Sequence, residues 1–229
     1  MEKLVPPWED KYSINDSKID AEHKKLFEIA SKVESAVYKY VERSELKEIL
    51  SELFSYMKVH FHNEEEYMQD IGYPYLNEHK IMHKDIVSDM SNLIQNVKTT
   101  NDLKEKLYTV ISDWLLDHIL HHDMMIGSWL NEQNFLKEEE DFAKLQEEYL
   151  NSGGQEVVVP PMPKEVVLKQ PRFIYSCPCK AQHILVYQDH LDISCHKKTL
   201  KCKKCQKDLF YVKTEIVTEK RTSDVSKMG

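Results

Sequence analysis

The sequence predicts a mainly α protein, an up-and-down antiparallel four-helix bundle followed by a small β module that carries the cysteines. Three observations point to it. Four stripes of apolar residues recur at intervals of three and four over about the first 130 residues, the spacing of one helix face. Only five glycines occur in 229 residues and 31% of the chain is charged, a composition that favours long helices over a glycine-punctuated β fold. All five cysteines are confined to the stretch from Cys177 to Cys205. A chain of this length can bury the core of one ordinary domain and add a small second module.

The first stripe consists of Ile19, His23, Leu26, Phe27, Ala30, Val33 and Val37, with Asp20 as the candidate cap, and predicts a helix over 19–40. Leu46, Ile49, Leu50, Leu53, Met57, His60, Glu64 and Met68 predict a second over 44–70, stopped by Gly72 and restarted at Pro74. A third, over 75–98, follows from Leu76, His79, His83, Ile86, Met90, Leu93 and Val97. Leu103, Leu107, Val110, Ile111, Trp114, Leu115, His118 and Met125 predict a fourth over 102–127. Connections of a few residues make successive helices antiparallel neighbours. The bundle is therefore expected over 1–131, with an additional helix over 132–150 bearing Phe135, Phe142, Leu145 and Tyr149 on one face.

Asn151 to Gln155 and Val159-Pro-Pro-Met-Pro163 predict a Gly/Pro linker over 151–171. The module is expected over 172–214, with strands at 184–187, 191–194 and 209–212, and a disordered tail over 215–229.

The first residues show no basic start followed by an apolar run, and no stretch approaches the roughly 20 apolar residues of a membrane span. A soluble, cytoplasmic protein without a membrane partner is expected. An odd number of clustered cysteines then suits metal ligation in a reducing compartment better than disulfides. The formal charge of -8 conceals an asymmetry. Residues 1–170 carry 19 basic against 33 acidic side chains, and residues 171–229 carry 12 against 6. A basic module with Lys197, Lys198, Lys201, Lys203 and Lys204 fits a protein partner; stacking aromatics are too sparse for a nucleic-acid partner to be expected.

His60 and Glu64 are four residues apart, as are His79 and His83, so each pair points one way from its helix. His23 and His118 lie in the stripes of the first and fourth helices. Any one such histidine reads most simply as a hydrogen-bonded core residue. Four helices that each direct imidazole inward imply a shared metal, because every unsatisfied buried polar group costs about 1–3 kcal/mol. Imidazole and carboxylate without thiolate suit iron, manganese or zinc. On the fourth helix periodicity alone selects His122, four after His118, over Asp123, which is rotated by about 140°.

Trp8, Tyr12, Ile19-Asp20-Ala21-Glu22-His23-Lys24, His60-Phe61-His62-Asn63-Glu64-Glu65, Tyr73-Pro74, His79 with His83, and Trp114-Leu115-Leu116-Asp117-His118 through Asp123 resemble the bacterial hemerythrins over residues 8 to about 130. The resemblance implies two iron ions joined by an oxo or hydroxo bridge. It assigns His79, His83 and His118 to one iron, His23 and His60 to the other, and Glu64 with Asp123 to the bridging positions, overruling periodicity at His122. Glu22 stands where many members carry glutamine, a difference that removes no ligand. Two octahedral irons so ligated keep one open position, on the iron of His23 and His60, and an open position marks a reactive site. The resemblance implies that molecular oxygen is taken up and released there, for storage, delivery or sensing.

No Glu-x-x-His pair of the kind used by bundle oxygenases is present, so reversible binding without enzymatic turnover is expected. The alternatives are a di-iron reductase of oxygen, nitric oxide or peroxide, and an oxygen sensor signalling through the C-terminal module. His62, His121 and His122 are expected to be solvated or to lie behind the ligands, Glu65 and Glu66 to form a charged helix face, and Met57, Met68, Met124 and Met125 to be core. Phe61, Trp114 and Leu115 are candidates either for a gas pocket or for plain core. Cys177-Pro-Cys179 and Cys202-Lys-Lys-Cys205 resemble the two turns of a zinc ribbon, which implies one tetrahedral zinc ion, with iron on four thiolates, as in rubredoxin, the alternative. The first turn is one residue shorter than usual, and Cys195 is a further candidate ligand.

Overall fold

Asp16 starts the first helix. In the computed structural model, which describes residues 5–39, 41–96, 99–111, 116–151 and 165–222, its carboxylate accepts hydrogen bonds from the backbone N–H groups of Lys18 and Ile19 at 3.0 and 2.9 Å. It thereby caps α1, Ser17–Tyr38. Asp20, the cap expected from sequence, lies inside the helix. Its carboxylate instead ties down the preceding loop, accepting from Ser13 Oγ at 2.5 Å and the Ile14 N–H at 3.0 Å.

Helix α2, Arg43–Asp70, ends at a turn in which Gly72 takes φ +70°, a left-handed conformation favourable to glycine. Helices α3, Leu76–Asn96, and α4, Thr100–Thr109, follow. Helix α1 packs on α2, α2 on α3, α3 on α4 and α4 back on α1, which closes the bundle. Among the described residues its interior holds apolar members of the expected stripes, with Leu26, Leu53, Met57 and Met90 fully buried.

The fourth helical arm departs from ideal α geometry. His118–Asp123 is wound as a π-helix and runs directly into α5, Met124–Asn151. The additional helix expected over 132–150 is therefore the continuation of this arm, and of its expected face only Phe135 is fully covered. Near its start the backbone at Ile14 passes so close that a Cβ on Gly127 would lie 2.7 Å from Ile14 Cα. That glycine serves close packing.

The C-terminal module contains a three-stranded antiparallel sheet in the order β2-β1-β3, with β1 Glu165–Ser176, β2 Gln182–Leu185 and β3 Phe210–Thr222. Three sequence expectations are corrected here. Residues 165–171 are strand and not linker: Pro171 pairs with Ile216 where β1 has β3 as its partner and β2 does not reach, so the missing proline donor disrupts no second ladder. Residues 215–222, expected as disordered tail, form the rest of β3 because Val166 to Leu168 offer an apolar, β-prone partner strand. The strand expected at 191–194 is part of a helix, α6, Tyr187–Ser194, whose buried Tyr187, His190 and Leu191 follow the three-and-four period. Most of the linker, 152–164, lies outside the described residues.

The module lies against the bundle. Phe173, Tyr175, Tyr187 and Leu191 form a small core that also takes in Tyr75, Met82 and Met125 of the bundle helices. Ser128 Oγ donates to the Lys169 carbonyl, and Lys169 Nζ to that of Lys11 at 2.8 Å. No helix among the described residues is long and apolar enough to cross a membrane.

Candidate metal centre

The four helices bring their polar side chains to one place in the apolar interior. His60 and Glu64 project from one face of α2, His79 and His83 from one face of α3, and His23 from α1. The fourth arm supplies His118 and Asp123. All seven are at most 3% exposed. The π winding explains the last residue. A turn closed by i→i+5 hydrogen bonds holds one residue more than an α turn and brings i+5 over i. His118 Nε2 accordingly lies 3.2 Å from Asp123 Oδ1. His122 is turned away towards the Tyr187 hydroxyl, 3.3 Å from its Nδ1.

The ligand atoms fall into two groups that share Glu64. One comprises Glu64, His79, His83 and His118, the other His23, His60, Glu64 and Asp123, with the ligand atoms of each group within 4.8 Å of one another. Both carboxylates span the groups. Asp123 directs Oδ1 at His79 and His118 and Oδ2 at His23, each at 3.2 Å. Glu64 turns Oε1 towards His23 at 3.7 Å and Oε2 towards His83 and His79 at 3.2 and 3.3 Å, with His60 at 3.9 Å from the same oxygen. This is the disposition of two bridging carboxylates between a three-imidazole and a two-imidazole position.

All five Nε2 atoms and all four carboxylate oxygens are buried without a hydrogen-bond partner among the described residues. Each such atom costs about 1–3 kcal/mol, and a pair of cations satisfies the whole set. The residues fit a dinuclear metal centre of oxygen and nitrogen donors.

Electrostatics couple the donor set. Burial opposes charge on His23 and His79, but Asp123 and Glu64 outweigh it and raise the two imidazoles to about 10 and about 9. Burial lowers His118 to about 3. The same imidazoles hold Glu64 and Asp123 far below the usual carboxylate range, against the desolvation that would raise them.

Two outer carboxylates orient ligands. Glu22 Oε2 lies 3.1 Å from His60 Nδ1, and its Oε1 accepts from Asn63 Nδ2 at 2.6 Å. Glu65 Oε1 lies 2.9 Å from His83 Nδ1. A partner there fixes the tautomer and raises the basicity of the ligand. Glu65 was expected from sequence to be plain helix surface. Its position one residue after Glu64 turns it sideways, to the edge of α3, and the signal available was its adjacency to a ligand. Glu65→Ala is expected to weaken iron binding about 10- to 100-fold, measured by competition with a chelator, whereas His62→Ala, at a side chain 71% exposed, leaves it unchanged.

Of the other residues singled out from sequence, His121 is half-buried beside Asp117 at 2.7 Å, and His122 is buried rather than solvated. Met57, Met68 and Met124 are core. Phe61 stacks on His83 with ring centres 3.8 Å apart and packs within the bundle core. Trp114 and Leu115 lie outside the described residues. Trp8 stands over His23 at 6.2 Å and meets Phe27 edge-on.

In the C-terminal module Cys177, Cys179, Cys202 and Cys205 converge, with all four Sγ atoms within 4.8 Å of one another. Each pair is followed by a residue in the left-handed region, Lys180 at φ 62° and Gln206 at φ 59°, so the two turns fold alike despite their different lengths. The thiols share protons unequally: the bond from Cys179 raises Cys177 to about 12, and the backbone N–H groups of Cys205 and Lys204 draw Cys202 down to about 6. Cys195 is outside this cluster, its Sγ 3.7 Å from the Glu78 carbonyl of α3.

The fold and the first site define a four-helix-bundle protein with a dinuclear imidazole–carboxylate metal centre. Residues 15–130 match the family model described as the Hemerythrin HHE cation binding domain. Among curated proteins, the chain is similar to a bacteriohemerythrin of Campylobacter jejuni, 35% identical over 122 residues that make up 53% of this chain and 92% of the relative. A bacteriohemerythrin of Clostridium acetobutylicum is 34% identical over 51% of this chain and 94% of the relative, and one of Stenotrophomonas maltophilia 28% identical over 51% and 75%. No solved structure matches the chain significantly. The chain belongs to the hemerythrin family, whose metal centre is a non-haem di-iron site, and the C-terminal module lies beyond the matched residues.

Proposed function

We propose that the bundle binds molecular oxygen reversibly, for storage, delivery or sensing, and that its activity is not enzymatic. The observation that carries this reading is the asymmetry of the centre: three imidazoles serve one metal position and two the other, with both carboxylates between them. An iron pair held by these seven residues would supply two reducing equivalents, and the His23 and His60 position offers one imidazole fewer than that of His79, His83 and His118.

The protein's own part is to hold, shield and exclude. Glu64 and Asp123 fix the spacing of the two positions, and Glu22 and Glu65 lock the tautomers of His60 and His83 so that each presents Nε2 inward. Trp8 stands over His23 and meets Phe27 edge-on, and apolar surface of this kind admits a small uncharged gas and disfavours water and ions. Five neutral imidazole donors with two carboxylates carry less negative charge than the four-carboxylate sites of bundle oxygenases, and so favour release over activation of oxygen.

The four-thiol cluster is read as a structural zinc site, because tetrahedral thiolate sets held by two similar turns suit that ion. The Lys-rich turn beside it is the surface for a protein partner. The deciding test is the visible spectrum of anaerobically reduced, iron-loaded protein as air is admitted and withdrawn, with iron and zinc quantified on the same sample. A charge-transfer band that rises and falls with oxygen supports the reading. Sustained oxygen consumption when reductant is supplied rejects it in favour of a reductase, and so does iron in the thiol site.

A further inference from the structure

Where the module meets the bundle, α3, the π-wound arm, β1, α6 and β3 line a solvent-open cavity of about 370 Å³. It reaches the metal ligand His118, and its volume is within the roughly 300–1,000 Å³ of small-molecule sites. We propose that this cavity binds one small uncharged aromatic molecule bearing a hydroxyl or carbonyl group, of the phenol or quinone class.

Two buried imidazoles carry the argument. His122 from the bundle and His190 from α6 both line the cavity and are each only 7% exposed. Each has its Nδ1 engaged by a tyrosine hydroxyl, His122 by Tyr187 at 3.3 Å and His190 by Tyr175 at 3.1 Å. Among the described residues no hydrogen bond reaches either Nε2. Neither Nε2 is sealed from solvent, so a ligand hydroxyl or carbonyl in the cavity can supply the partner.

The walls define the rest of the ligand. Met82, Ile86 and Ile193 are apolar, and Tyr175 and Tyr211 present rings. His190 lies flat on Phe173, ring centres 3.8 Å apart and planes 18° from parallel, so the polar anchor is held in place before anything binds. Burial lowers His190 to about 4, so it is neutral at neutral pH. The carboxylates on the wall, Asp85 and Asp117, disfavour an anion.

The site lies at the three-imidazole end of the centre, which it meets at His118, and neither His23 nor His60 lines it. It is also built half from the module, which the family match does not cover. Binding there would couple the module's seating to the surroundings of His118 without competing for the gas position.

Calorimetric titration of the iron- and zinc-loaded full chain tests this, with 2-naphthol as probe and naphthalene-2-sulfonate as its anionic counterpart. Saturable binding of one 2-naphthol per chain is expected, with the sulfonate at least about 10-fold weaker. Ile193→Trp and Met82→Trp, which fill the cavity from α6 and from α3, abolish binding. His190→Phe keeps the stack on Phe173 but removes the polar anchor and weakens binding about 10-fold. Iron and zinc contents equal to the parent's establish that each variant is folded. Absence of saturable binding, equal affinity for the sulfonate, or undiminished binding in a folded filler variant overturns the proposal.

Discussion

Asp123→Asn is expected to cost the protein most of its iron, and His122→Phe to leave both irons in place. The two residues are neighbours in sequence, and an ideal helix favours the wrong one. In the π-wound arm Asp123 sets one oxygen 3.2 Å from the Nε2 atoms of His79 and His118 and the other 3.2 Å from that of His23. An amide has one oxygen to offer and no charge, so one metal position loses a ligand and the other loses its bridge. Even partners behind the ligands are worth about 10- to 100-fold in metal affinity, and a bridging ligand is worth more. His122 faces the module, stacked against His190 at 5.4 Å. A phenyl ring preserves that packing but leaves the buried Tyr187 hydroxyl without this partner, about 1–3 kcal/mol of stability. Iron per chain after gel filtration of both variants decides the matter: comparable iron loss in the two would mean that the π geometry does not select the ligand.

The same pair shows what sequence could and could not reveal. The bundle was legible because its stripes repeat over five or six turns, and His60 with Glu64 and His79 with His83 fall on those stripes at a spacing that ideal helices preserve. Asp123 was not legible from periodicity, since a local change of winding leaves no mark in the apolar pattern; only likeness to a family supplied it. Glu65 looked like surface because its neighbours on α2 are acidic, and its role depends on the approach of α3. In the module the paired cysteines were legible and the elements between them were not. Tyr187 to Ser194 is too short for periodicity to separate helix from strand, and Pro171 looked like a linker residue because nothing local shows that β1 has one partner strand there. The contact of His122 with Tyr187 joins residues 65 apart, through packing of a module that the family match does not reach.

The module is therefore more than an appendage. Its small core is completed by Tyr75, Met82 and Met125 of the bundle, and Arg221 Nη1 reaches Glu132 at 2.7 Å while His196 lies 3.3 Å from Glu78. These exposed ion pairs contribute little individually; the buried aromatic contact sets the arrangement. The same contact aligns the three-imidazole end of the centre with the part of the chain that carries the basic turn.

Removal of iron is expected to lower the thermal midpoint by about 8–16 °C and to take up about two protons per chain at neutral pH. The first figure follows from mass action: at free metal about 1,000-fold above Kd, binding contributes about 4 kcal/mol, and each kcal/mol shifts a protein of this size by about 2–4 °C. The second follows from the centre itself. Without metal, His23 and His79 are raised to about 10 and about 9, so both carry protons at pH 7 and neutralise the ionised Glu64 and Asp123. Iron replaces those protons, since an imidazole binds metal only when neutral. A raised imidazole stabilises the fold fully below its unfolded value of about 6.5 and loses that contribution as pH climbs through its folded value. The metal-free protein is accordingly expected to lose stability between about pH 6.5 and 10, and the iron-loaded protein, whose imidazoles hold no protons to lose, to remain level over the same interval. Thermal melts of both forms across that range, with proton release measured during iron titration of weakly buffered protein, test the two statements together. Parallel pH profiles and no proton release would mean that the empty centre is not held by charged imidazoles.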